Sequence, residues 1–179
     1  MTRQYFLGVL VAAGLASSAL GCNKMGGGSQ SGGSASHSLV GAPAPSFDLP
    51  AHFGDAKKVS LADGAGKVML VDFWATWCEP CKDSFPHHAQ LAEKYAGQVV
   101  VVAISIDDDP GGIADFAKKN GAKFNIGWDE GQAISGTYQP PTMPTAYIID
   151  KNGIVRYVHA GFRKGDEVEI DAHVAELLK

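Results

Sequence analysis

Two cysteines three residues apart, in Trp77-Cys78-Glu79-Pro80-Cys81, are the residues best suited to do chemistry. They follow an apolar run, Val68 to Phe73, that reads as a strand covered on both faces. They open a helical stretch that carries Phe85, Ala89, Ala92 and Tyr95 at helical spacing. A helix N-terminus offers unpaired N–H groups and the positive end of the dipole, and both stabilise a thiolate. Spacing of three brings the second sulfur within reach of the first across one turn. The expected chemistry is thiol–disulfide exchange. Cys78, at the helix mouth, is the exposed nucleophile; Cys81, one turn in, resolves the mixed disulfide. Pro80 suits a helix start, where a missing N–H costs little. A lone Cys-x-x-Cys is also half of a zinc site. A purely structural disulfide is a further alternative, though closing so small a loop constrains little of the unfolded chain.

His87-His88 follows the cysteines on the same helix and could join them on Cu(I), since soft thiolates bind that ion; the plainer reading is a solvated helix face. Zinc needs four ligands at defined spacing, and there is no second cysteine pair, so no metal is assigned. Asp107-Asp108-Asp109-Pro110-Gly111-Gly112 lacks the alternating ligands and terminal Glu of a calcium loop and reads as a solvated strand-to-helix loop. No glycine-rich phosphate loop and no Ser/His/Asp arrangement stands out, and no cofactor is expected.

The elements that must position the cysteines alternate in type. Val99 to Ile106 is a second buried strand, with four consecutive Val. Ile113 to Lys119 is a short helix stopped by Asn120-Gly121. Phe124 to Trp128 reads as a strand, Gln132 to Tyr138 as a helical turn and Ala146 to Ile149 as a strand. Asp150-Lys151-Asn152-Gly153 is a hairpin turn that returns the chain along Ile154 to His159. Asp166, with Glu169 three residues on, is expected to cap a last helix whose apolar side holds Ile170, Val174 and Leu177. The expected class is α/β, a central mixed β-sheet flanked by helices. Phe47-Asp48-Leu49 and Val59-Ser60-Leu61 add an N-terminal β-hairpin.

Residues 1–21 read as a targeting segment. Arg3 precedes an apolar run, Tyr5 to Leu20, of signal-peptide length and short for a membrane span. The run ends in Ala19-Leu20-Gly21-Cys22, which resembles a bacterial lipobox, with Ala19 where Leu is usual. Cys22 is therefore the expected lipidation site. Asn23, where Asp would suggest retention at the inner membrane, leans toward the outer one. Residues 22–38 form the lipidated Cys and a Gly/Ser-rich tether, with five Gly and five Ser after Cys22. Residues 39–179 form the folded domain. Its cysteines then work outside the cytoplasm, where disulfides persist. With 15 Lys+Arg against 19 Asp+Glu, the net charge of −4 argues against a nucleic-acid partner.

The segment Asp72-Phe73-Trp74-Ala75-Thr76-Trp77-Cys78-Glu79-Pro80-Cys81-Lys82 resembles the active-site segment of thioredoxin-like proteins, most nearly the extracytoplasmic TlpA/ResA type. The resemblance spans about residues 41 to 165. It includes Ala42-Pro43-Ala44-Pro45-Ser46-Phe47-Asp48-Leu49, Gly66-Lys67, and Met143-Pro144-Thr145 before Ala146-Tyr147-Ile148-Ile149-Asp150. It implies a thioredoxin fold and thiol–disulfide oxidoreductase activity. It makes Pro144 the cis-proline beside the redox pair, Pro86 the helix-kinking proline, and Met143 and Pro144 part of a substrate-binding surface with Trp77, Glu79 and Pro80. Trp74 is expected to pack as core. Asp72 matches the buried carboxylate of cytoplasmic thioredoxins, where many extracytoplasmic relatives carry Asn; it is expected to take the proton of Cys81. Ser84 stands where cytochrome-maturation relatives often have Glu. Glu79 opposes ionisation of Cys78 while the helix dipole favours it.

These readings make the chain a lipid-anchored periplasmic oxidoreductase. Its expected partners are cysteine-containing exported proteins, such as apocytochrome c or copper-site proteins, and a membrane thiol carrier as electron donor. Two rivals stand beside it. A thiol peroxidase of related fold would want Thr or Ser three before the attacking cysteine, and Ala75 holds that place. A copper-carrying or scaffold lipoprotein would use the pair as ligands.

Overall fold

The computed structural model describes residues 37–179. The targeting segment, Cys22 and the tether up to residue 36 lie outside the described residues. Seven strands form one sheet: β1 (Asp48–Phe53), β2 (Lys58–Ser60), β3 (Val68–Trp74), β4 (Val99–Ser105), β5 (Asn125–Trp128), β6 (Thr145–Ile149) and β7 (Val155–Ala160). Four helices join them: α1 (Cys81–Lys94), α2 (Ile113–Lys119), α3 (Ala133–Tyr138) and α4 (Asp166–Leu177). The strand order is β2-β1-β5-β4-β3-β6-β7. β3, β4 and β5 run parallel, and β6, β7, β1 and β2 join antiparallel, so the expected mixed sheet is present.

β3 is an inner strand between β4 and β6, and all seven of its residues are buried. Because strand side chains alternate, Val68, Leu70 and Trp74 enter the layer that holds Phe85 of α1, Ile113 of α2 and Ile170 and Val174 of α4. Met69, Val71 and Phe73 enter the opposite layer with Phe47, Tyr138 and Tyr147. Each layer buries bulky rings: Trp74, Phe85 and Phe116 stack edge-on or tilted on one side, Phe73, Tyr138 and Tyr147 on the other.

The N-terminal segment extends one side of the sheet and touches the other. The expected hairpin pairs Asp48 with Ser60 and Leu49 with Val59. β1 also runs on to Phe53 and pairs with β5, which the sequence reading did not include. Gly127 of β5 makes room for the hairpin, since a Cβ there would stand 2.5 Å from Val59 Cγ2. At the other edge, Gly41 N donates to Val155 O at 2.8 Å and Val155 N to Ala42 O at 3.0 Å, so the chain before β1 lies along β7. Tyr138 Oη donates to Pro45 O at 2.7 Å and fastens this segment to the underlying core.

Two details differ from expectation. α1 starts at Cys81 rather than just after Cys78. Asp166 does not cap α4: Gly165, in the left-handed region, precedes the helix, and the Asp166 carboxylate instead accepts from Arg163 N at 2.8 Å. A glycine adopts that backbone without the steric cost a capping Asp would meet.

Candidate active site

The end of β3 delivers the chain into a tight turn, in which Cys78 N donates to Ala75 O at 3.1 Å. Pro80 occupies the position before the first helical residue, and Cys81 begins the helix. The two sulfurs are joined at 2.00 Å. Cys81 is fully buried and Cys78 is 4% exposed, so of the two residues only Cys78 reaches the surface. The order of exposure is the expected one, but Cys78 is more covered than a helix-mouth nucleophile was expected to be.

The cover comes from a shallow cleft lined by Trp77, Cys78, Glu79, Pro80, Ile106, Thr142 and Met143. Trp77 is 67% exposed on its rim, whereas Trp74 is buried against Phe85. The Met143–Pro144 bond is cis, and Pro144 O accepts from Gly161 N at 2.8 Å. Glu79 is well exposed and paired with Lys82 Nζ at 2.5 Å. Solvent and that partner both weaken the influence of its charge on Cys78.

Asp72 lies on the α1 side of β3 and is fully buried. Burial pushes its carboxyl above the ordinary carboxylate range, and His88 pulls it partly back. The His88 Nε2 to Asp72 Oδ2 distance is 3.4 Å, and neither side chain makes a hydrogen bond. The solvated face expected for His87-His88 is therefore corrected for His88, which is 1% exposed. Cys81, Ser84, Phe85, His88 and Ala89 form the buried side of α1, and His88 stands two turns after Cys81 on that side. That spacing was the available signal. His87 is half-buried beside it, and burial lowers its ring to about 4. Ser84, lacking a carboxylate, donates its hydroxyl to Cys81 O at 3.2 Å. Pro86 lies inside α1 and supplies no N–H there.

Asp107 is a second correction. It was assigned to a solvated loop, yet it is buried. Its carboxylate accepts from Thr76 N at 3.1 and 3.0 Å, from Thr76 Oγ1 at 2.7 Å and from Ser105 Oγ at 2.7 Å. Its carbonyl accepts from Trp128 Nε1 at 2.7 Å. This network ties the turn carrying Cys78 to the ends of β4 and β5.

The joined cysteines, carried from a buried parallel strand into a helix start on this mixed sheet, place the fold in the thioredoxin-like class and suit it to thiol–disulfide exchange. The AhpC/TSA family matches residues 40–158, and the chain belongs to that family. Its sequence is 37% identical over 120 residues to the thiol-disulfide oxidoreductase ResA of Bacillus thuringiensis, covering 65% of this chain and 66% of that protein. It is 35% identical over 132 residues to the thioredoxin-like protein YneN of Bacillus subtilis, covering 72% and 76%. Among solved structures, a Chlorobium tepidum protein described as a thiol:disulfide interchange protein of the DsbE type superposes with a TM-score of 0.73 at 36% identity, covering 78% of this chain and 98% of that one.

Proposed function

We propose that this chain is an extracytoplasmic reductant of protein disulfides, held to a bacterial membrane through acylated Cys22. The carrying observation is the Cys78–Cys81 disulfide, with its outer sulfur facing a cleft rimmed by Trp77 and Met143. In the reduced state the Cys78 thiolate, favoured by the α1 dipole, attacks one sulfur of a client disulfide. A mixed disulfide forms and the first client thiolate leaves. Cys81 then gives up its proton and attacks Cys78 Sγ; the second client thiolate leaves, and the Cys78–Cys81 bond is made. Two electrons pass to the client, and a membrane thiol carrier returns them.

The buried Asp72 carboxylate receives the Cys81 proton, and His88, 3.4 Å away, offsets part of the burial that disfavours its ionised form. The client backbone lies against Met143 and cis-Pro144, while Trp77, Glu79 and Pro80 meet its side chains. Exported proteins with cysteine pairs, such as apocytochrome c and copper-site proteins, are the expected clients. No helix among the described residues is long and apolar enough to cross a membrane. We assign tethering to the lipid on Cys22 and the Gly/Ser-rich segment after it, with the outer membrane favoured by Asn23.

The test is a Cys81→Ser variant expressed in cells. It should accumulate mixed disulfides on Cys78 that mass spectrometry identifies as exported proteins, and recovery of no client would overturn the reading. Cys22→Ala should move the protein from the membrane fraction to the soluble periplasm; an unchanged distribution would remove the lipid anchor from the account.

A further inference from the structure

Away from the disulfide, three metal-ligating side chains converge between β7 and α4. His159 stands in β7 and is buried, while Glu169 and His173 lie one turn apart on α4. One ligand atom from each lies within 4.8 Å of the others. The two imidazoles meet nitrogen to nitrogen, His159 Nε2 to His173 Nδ1 at 3.0 Å. Both rings are held in place. His173 stacks flat on Tyr157, with centroids 3.7 Å apart and planes at 6°. The His159 backbone is fixed opposite Ala146 in the β6–β7 ladder, and its ring is buried.

Two imidazole nitrogens and one carboxylate oxygen are a donor set that suits borderline divalent ions, and three protein ligands leave a fourth position for water. Ligand atoms each about 2 Å from one ion stand roughly 3–3.5 Å apart in a tetrahedral site, so the histidine pair is already near that separation. The half-exposed Glu169 offers a carboxylate oxygen within 4.8 Å of both nitrogens. A hydrogen bond between two histidines would explain their contact without an ion. It would not explain a carboxylate converging on the same point.

We propose that His159, Glu169 and His173 bind a borderline divalent transition ion, which would clamp the last strand to the last helix. The probe is Zn(II), titrated by equilibrium dialysis into the oxidised full chain carrying Cys22→Ser. There the Cys78–Cys81 disulfide and the substitution leave no thiol to ligate, so the outcome does not depend on the redox reading. One equivalent of zinc should bind per chain and raise the Tm. Glu169→Gln and His173→Ala, both at half-exposed positions, should each lower zinc affinity about tenfold or more, since even outer-sphere partners of a metal are worth that much. Circular dichroism checks that each variant is folded, and the isosteric Glu169→Gln leaves the helix unaltered. Absence of stoichiometric binding, or affinity unchanged in either variant, overturns the proposal.

Discussion

Asp72 and His88 carry a cost the rest of the core avoids: two titratable groups out of water, 3.4 Å apart, without hydrogen bonds. Burial raises the Asp72 carboxyl, so the folded state holds its proton more tightly than the unfolded chain does. That contribution favours folding at low pH and is lost as pH rises through the folded value. Asp72→Asn should therefore raise the Tm at pH 7, with the gain vanishing below about pH 4, where the carboxyl is protonated in both states. The same variant should slow disulfide exchange near neutral pH; an unchanged rate would remove Asp72 from the proton path. His88→Leu takes away the group that favours the carboxylate, so the pH–rate profile for exchange should move to higher pH. A profile that stays in place would make His88 a packing residue. At this scale the cysteines were legible because their spacing is local. The partner of Asp72 was missed because two adjacent histidines were read together, although helical periodicity sends them to different environments.

The same distinction holds between elements. Runs such as Val68 to Phe73 and Val99 to Ile106 announced buried parallel strands through composition alone. The pairing of β1 with β5 was not legible, because an antiparallel partner far along the chain leaves no local mark. Asp107 was misread for a related reason. Three consecutive acids look solvated, and only the convergence of two loops shows that the first one turns inward. Asp107→Ala leaves Thr76 N and the Ser105 and Thr76 hydroxyls without their acceptor. It should destabilise the fold by about 2–4 kcal/mol, since hydrogen bonds to a charged acceptor contribute about 1.5–3 kcal/mol and orphaned donors add a penalty. Exchange by Cys78 should fall as its turn loosens. Denaturant unfolding and single-turnover kinetics measure the two effects, and a loss of stability without a loss of rate would confine Asp107 to a scaffolding role. Phe85→Ala, which removes a ring packed between Trp74, Phe116 and Phe124, should cost about 3–5 kcal/mol in the same unfolding experiment.

For the molecule as a whole, the exposed ring of Trp77 is the apolar feature through which a protein client would be met. Trp77→Ala should lower kcat/KM for a folded protein disulfide more than for glutathione disulfide, which is too small to use the rim. Equal losses on both substrates would assign Trp77 to shaping the cysteine turn instead. One stretch at the chain's beginning covers part of both margins of the central sheet: Gly41 and Ala42 bond to Val155 at the start of β7, and the hairpin pairs with β5. Trimming the protein back to its most familiar core, from β3 onward, would thus strip two rows of backbone donors and acceptors at once and invite copies to stick side by side. A recombinant version intended to stay in solution has to keep everything from Gly41.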